Sequence, residues 1–186
     1  MNKTDSEILR ELVALNADTS DCVAPLVSTA YALDAKHILE LGVRSGVSTI
    51  ALLVACRNLK GTLVSFDIEP CAEARQKIEQ LGLVDKEKAN WLFVQKDDRQ
   101  LLDTVKLKSM ELIFLDTDHN LQHMTQELDL CDKVLKKGGV ILAHDTLAPN
   151  YPDIPKAIQN FIEKNKKRYS FHETGTRYGL GMLIKN

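Results

Sequence analysis

Short apolar runs at His37–Leu41, Thr62–Phe66, Trp91–Gln95, Leu112–Leu115 and Val140–Ala143 alternate with stretches of helical periodicity. The helical stretches are Val47–Cys56, Ala72–Leu81, Arg99–Thr104, Leu121–Leu135 and Ile154–Asn165. Strands that are apolar throughout are buried on both faces, and strands separated by helices run parallel. The pattern therefore predicts an α/β fold with a doubly wound sheet. The end of the chain breaks the alternation. Tyr169–Glu173 and Leu180–Ile184 are joined by the turn 174–179 with no helix between them, which predicts an antiparallel hairpin at one edge of a seven-stranded sheet.

Ahead of the first strand, Thr4-Asp5-Ser6-Glu7 reads as a capping box, followed by Ile8, Leu9, Leu12, Val13 and Leu15 at helical spacing. A second helix is expected over Pro25–Leu33. With 186 residues the chain can build one sizeable core. We read it as a single domain, with N-terminal helices over 1–36 and the sheet core over 37–186.

Twenty-four basic against 26 acidic residues give a net charge of −2. Sequence-independent binding to nucleic acid needs a basic face, so a small-molecule substrate is expected instead. The stretch MNKTDSEILRELVALNADT has no apolar core of a secretion signal, and no run approaches the length of a membrane helix. Cys22, Cys56, Cys71 and Cys131 form no CxxC pair. Three of the four lie in apolar contexts and read as small hydrophobes, and a reducing cytoplasm is expected.

Ligands of open α/β sheets bind beyond the carboxyl ends of the strands. The first strand runs into Glu40-Leu41-Gly42-Val43-Arg44-Ser45-Gly46, with a helix opening at Val47-Ser48-Thr49. Gly42 and Gly46 permit close backbone approach, and the helix start offers free N–H groups; a plain tight turn is the alternative. Arg44 and Glu40 both oppose a pyrophosphate at this turn. The second strand ends in Asp67, spaced to hold a ribose diol, whereas Glu69 suits the start of the next helix. After the third strand, Asp97 or Asp98 could accept from an adenine amine or serve as a helix cap.

The fourth strand ends Leu115-Asp116-Thr117-Asp118-His119 and the fifth Ala143-His144-Asp145-Thr146. Acids and imidazoles emerging straight from apolar runs need water, partners or a metal. Asp116 and Asp145 with His144 form a candidate divalent-cation site; a structural hydrogen-bond network is the alternative, and His144 could instead point into the sheet.

In this order, ILELGVRSGVST, LVSFDIEP, FLDTDHNLQHMTQELDLCDKVLKKGGVILAHDT and YGLGMLI resemble the class I S-adenosylmethionine-dependent methyltransferases. The likeness is greatest to small metal-dependent O-methyltransferases of the catechol type and to relatives acting on antibiotic or sugar hydroxyls. The resemblance implies a Rossmann-like sheet with Glu40, Gly42 and Gly46 around the methionine moiety. It implies Asp67 on the ribose and Asp97 or Asp98 by the adenine, with Ser48 and Asp116 also counted among the cofactor contacts. Asp116, His144 and Asp145 would hold the cation, Mg²⁺ or Mn²⁺, with Fe²⁺ or Zn²⁺ open because an imidazole softens the site. His119 stands where the family places its general base; the alternative is a water-exposed neighbour of a helix N-cap.

The activity implied is methyl transfer to a small-molecule hydroxyl. Rival readings are a non-catalytic cofactor-binding protein, a nicotinamide dehydrogenase, which Arg44 and the hairpin oppose, and a non-haem iron oxygenase. The loop 146–155, with its prolines, reads as a stiff lid. With so little chain left for substrate recognition, the pocket is either shallow or completed by a second copy in a homodimer.

Overall fold

The computed structural model describes residues 3–85 and 90–186. Its sheet joins β1 (His37–Leu41), β2 (Thr62–Asp67), β3 (Trp91–Gln95), β4 (Met110–Leu115), β5 (Leu135–His144), β6 (Tyr169–Thr174) and β7 (Leu180–Lys185) in the order β3-β2-β1-β4-β5-β7-β6. The pairings among β1 to β5 are parallel, and β7 pairs antiparallel with both β5 and β6. The hairpin expected at one edge is present, with β7 turned inward and β6 outermost. The order reverses at β1 and β4, so the crevice for a ligand opens above the tips of those two strands.

Period-two alternation sorts the strand residues onto two cores. Ile38, Leu63, Leu112, Phe114, Val140 and Leu142 face α1 (Asp5–Ala14), α2 (Val23–Ala32) and α3 (Val47–Leu59). Leu39, Leu41, Phe66, Ile113, Leu115 and Ile141 face α5 (Leu121–Val134) and α6 (Asp153–Asn165). The helix α4 (Ala72–Gln80) closes the first layer through Ile78. Every residue of α3 from Val47 to Cys56 is buried, so this helix is the spine of that layer. The same alternation puts Glu40, between Leu39 and Leu41, on the α3 side.

The capping box forms as read: Thr4 Oγ1 accepts from Glu7 N, and Thr4 N donates to the Glu7 carboxylate at 2.7 Å. Two segments differ most from the sequence expectation. Arg99–Thr104 is not an α-helix but part of a 3₁₀ segment, Asp98–Asp103, where Asp97 caps the turn by accepting from Arg99 N at 2.9 Å. A segment so short closes i→i+3 bonds more readily than a full α turn. β5 starts at Leu135 rather than Val140, because Leu135 pairs with Met110 ahead of an irregularity in the β4–β5 register.

Candidate cofactor and metal site

The turn after β1 passes directly over the end of β4. Gly42 has φ +93°, and a Cβ there would lie 1.9 Å from the Asp116 carbonyl oxygen. Only glycine lets the two strand tips meet so closely. Gly46, at φ +79°, precedes α3 and lies against Ala74 of α4.

Asp67 braces this turn. Its Oδ2 accepts from Val43 N at 2.8 Å and Arg44 N at 3.0 Å, and its Oδ1 accepts from Glu69 N at 2.8 Å. Burial works against its charge, yet these backbone donors hold its carboxyl below the usual range. The half-buried carboxylate is therefore fixed at the β2 tip, beside the turn.

Glu40 lies beneath the turn and not on its open face. It is fully buried and accepts from Ser48 Oγ at 2.7 Å, Thr49 Oγ1 at 2.9 Å and Ser65 Oγ at 2.7 Å. Trp91 Nε1 in turn donates to Ser65 Oγ at 3.0 Å. Burial pushes the Glu40 carboxyl up to about 7 against the pull of those hydroxyls. Glu40, expected around the methionine moiety, and Ser48, expected among the cofactor contacts, bond each other through their side chains and tie β1 to α3 and β2. The Ser48 hydroxyl is spent inside, although its backbone remains at the helix start.

The acids after β3 each have a nearby partner. Asp97 is held to about 2 by the Arg99 guanidinium and serves as the 3₁₀ cap. Asp98 is buried and faces His123 of α5, with Nε2 3.2 Å from Oδ2. Asp98 is thereby enclosed, whereas the Asp97 side chain stays partly exposed, at 28%.

The β4 and β5 tips converge as the sequence suggested. His144 Nδ1 lies 3.2 Å from Asp116 Oδ1 and 3.4 Å from Asp145 Oδ2. Both acids and the imidazole offer ligand atoms within 4.8 Å of one another. His144 does point into the fold, at 3% exposure, while presenting one ring edge to the acids. Burial alone would lower its pKa, but Asp116 and Asp145 overrule it and hold the ring protonated, pushed up to about 12. Burial likewise opposes the Asp145 charge, and His119 and His144 beside it keep the carboxyl far below its ordinary value. An imidazole can ligate only when neutral, so a cation drawn to the two acids would replace the ring proton. With two carboxylates and one nitrogen, the donor set fits Mn²⁺, Fe²⁺ or Zn²⁺ at least as well as Mg²⁺.

His119 joins this cluster: its Nε2 is 2.7 Å from Asp145 Oδ2. Its ring stacks on Tyr151 of the loop after β5, with centroids 3.8 Å apart. That loop is tied to the hairpin, since Leu147 N donates to Tyr178 O and Thr146 Oγ1 to Glu173 Oε1. Its last prolines belong to α6, Pro152 as N-cap and Pro155 inside the first turn. The loop is accordingly shorter than the sequence implied.

Other partners at the site were not read from the sequence. Asp18 pairs with the Arg44 guanidinium and Asp21 accepts from Arg177 N, so the N-terminal segment clamps both the glycine turn and the hairpin turn. The buried Cys22 thiol approaches His144, whose Nε2 has no hydrogen-bond partner among the described residues. An open cleft of about 410 Å³ runs between Asp18, Arg44, Ser45, Arg177 and Tyr178. No hydropathy signal marks such contacts, because they join loops distant in sequence.

A family model described as a methyltransferase domain matches residues 39–146, which carry the glycine turn, Asp67 and both acidic tips. The chain belongs to that methyltransferase family. It is 29% identical over 183 residues to catechol O-methyltransferase B of Danio rerio, covering 93% of this chain and 65% of that protein. The chain thus spans about two thirds of the length of this curated relative. Among solved structures, an O-methyltransferase from Bacillus cereus in complex with SAH superposes with TM-score 0.72 at 22% identity, covering 98% of this chain and 90% of that one. TomG, an O-methyltransferase of Streptomyces achromogenes in complex with SAM, does so with TM-score 0.72 at 20% identity, covering 100% and 92%. These likenesses are of the fold, here a Rossmann-like sheet with an antiparallel β7.

Proposed function

We propose that this methyltransferase-family chain moves the methyl group of S-adenosylmethionine to a hydroxyl of a small molecule. The observation that carries the reading is the contact of His119 with Asp145, set beside Asp116 and His144 at the strand tips next to the glycine turn. The balanced charge favours a small molecule over nucleic acid.

Methyl transfer needs alignment and a competent nucleophile. A divalent cation held by Asp116, His144 and Asp145 would polarise the substrate hydroxyl and lower its pKa. Asp145 faces Nε2 of His119, which leaves Nδ1 as the nitrogen that accepts the hydroxyl proton. Tyr151 holds the ring plane by stacking. Asp67 fixes the glycine turn through Val43 N and Arg44 N, and in this reading it would accept from the ribose diol. In-line displacement then breaks the sulfonium S–CH₃ bond as the O–CH₃ bond forms, and the hydroxyl proton stays on His119.

The test is turnover of S-adenosylmethionine with catechol and a panel of sugar and phenolic hydroxyls, read by mass spectrometry before and after EDTA treatment and after Mn²⁺ is restored. Methylation that falls at least 100-fold with EDTA and returns with Mn²⁺ supports the reading. Equal turnover after EDTA removes the metal. Tight S-adenosylmethionine binding with no product on any hydroxyl favours the non-catalytic binding protein.

A further inference from the structure

A second cluster of ligand-type side chains lies on the other face of the sheet, beneath the tip of β3. Asp98 of the 3₁₀ segment meets His123 and Glu127 of α5, and the three offer ligand atoms within 4.8 Å of one another. His123 and Glu127 are four residues apart and so share one helix face. Asp98 is 8% exposed and Glu127 0%.

The donors present do not satisfy these acids. His123 Nε2 lies 3.0 Å from Asp98 Oδ1, 3.2 Å from Oδ2 and 3.7 Å from Glu127 Oε1, yet one N–H can serve only one of them. Thr117 Oγ1 donates to Glu127 Oε1 at 2.6 Å. Glu127 Oε2 is buried and has no hydrogen-bond partner among the described residues. The carboxyls of Asp98 and Glu127 also stand within hydrogen-bonding reach of each other, and burial pushes both above the usual carboxylate range. Leaving such a pair unbridged in the interior costs several kcal/mol per charge, so a proton or a cation belongs between them.

We propose that Asp98, His123 and Glu127 form a second metal site, selective for a zinc-class divalent cation and sharing no ligand with Asp116, His144 and Asp145. The spacing accommodates a cation, and the donor set favours one over a lone proton. Ligands bonded at about 2.0–2.1 Å around a tetrahedral ion stand about 3.3 Å apart, which the 3.0 to 3.7 Å separations bracket. A shared proton would satisfy the two acids alone, with no need of the imidazole aimed at both. Zinc-class ions take mixed imidazole and carboxylate ligands, whereas Mg²⁺ and Ca²⁺ prefer oxygen alone. Bound there, the ion ties the 3₁₀ segment after β3 to α5, and through Thr117 it reaches the residue next to Asp116.

The experiment uses the full chain stripped with EDTA and titrated with Co²⁺, followed by visible absorption, and with Zn²⁺, followed by calorimetry and melting temperature. In the D116N/D145N background the expected result is one Co²⁺ per chain with a d–d band. Zn²⁺ at a 100-fold excess over Kd should raise Tm by about 5–10 °C. Adding His123→Gln or Glu127→Gln to that background should abolish both signals. In the otherwise unchanged chain, either substitution should lower the Co²⁺ stoichiometry by one, which keeps the test open if the double variant fails to fold. Absence of Co²⁺ binding by a folded D116N/D145N chain overturns the proposal. So does Co²⁺ binding that neither His123→Gln nor Glu127→Gln changes.

Discussion

His119 Nε2 stands 2.7 Å from Asp145 Oδ2, so the imidazole read as general base is oriented by an acid that also belongs to the candidate metal cluster. His119→Gln keeps a polar side chain of similar reach and removes the proton acceptor. We expect kcat to fall about 10²- to 10⁴-fold. Affinity for S-adenosylmethionine should stay within about threefold, because His119 bonds Asp145 and stacks on Tyr151, away from the glycine turn. Single-turnover rates and calorimetric titration separate the two. A parallel loss of cofactor affinity would show that His119 builds the pocket and does not perform the chemistry.

In the proposed reading Asp67 supports the cofactor side in the same indirect way. It accepts two backbone N–H groups from the turn before any ligand arrives. Asp67→Asn turns part of that acceptor into a donor facing donors, and charge-assisted bonds of this kind are worth about 1.5–3 kcal/mol each. The expected outcome is a rise of at least about 30-fold in the Kd for S-adenosylhomocysteine. An unchanged Kd would mean that neither the turn nor a ribose depends on this carboxylate.

The strand tips were legible because their chemistry is local. A glycine turn, Asp67, and acids that end apolar runs are all adjacent to the strands that place them. The alternation also revealed the sheet, since buried parallel strands permit few polar residues. What the sequence hid is tertiary. Glu40 looked like a ligand contact because its position in the turn is readable, but its face is set by strand alternation, which turns it toward Ser48, Thr49 and Ser65. Asp98, His123 and Glu127 come from two elements, and only the i,i+4 spacing on α5 hinted at their meeting. Asp18, Asp21 and Cys22 lie in a segment with no strong periodicity, so their contacts with Arg44, Arg177 and His144 depended on the folded chain.

Gly42 tests the close approach of the two strand tips. A Cβ at this position would lie 1.9 Å from the Asp116 carbonyl oxygen, on a backbone at φ +93°. Neither atom can yield, because Asp116 N donates to Leu41 O and Gly42 N to Phe66 O. Gly42→Ala should destabilise the chain by at least about 3 kcal/mol in urea unfolding, or prevent folding outright. Gly46→Ala meets the Ala74 methyl at 2.9 Å and should cost less. A Gly42→Ala chain of ordinary stability would show that β1 and β4 can part at their tips.

The buried Glu40 makes stability depend on pH. Its folded pKa is raised to about 7 from 4.5, chiefly by burial, so between those values the folded chain holds a proton that the unfolded chain has released. Stability from this group is therefore greatest below about pH 4.5 and falls as pH rises toward 7. The full span corresponds to about 3 kcal/mol. Glu40→Gln removes the titration while its amide can still bond the hydroxyls of Ser48, Thr49 and Ser65, which rotate to donate or accept. The slope of unfolding free energy between pH 5 and 7 should flatten in the variant relative to the unaltered chain, with the difference growing as pH rises. Identical slopes in urea titrations across that window would place the Glu40 pKa near its ordinary value and remove burial as the controlling effect.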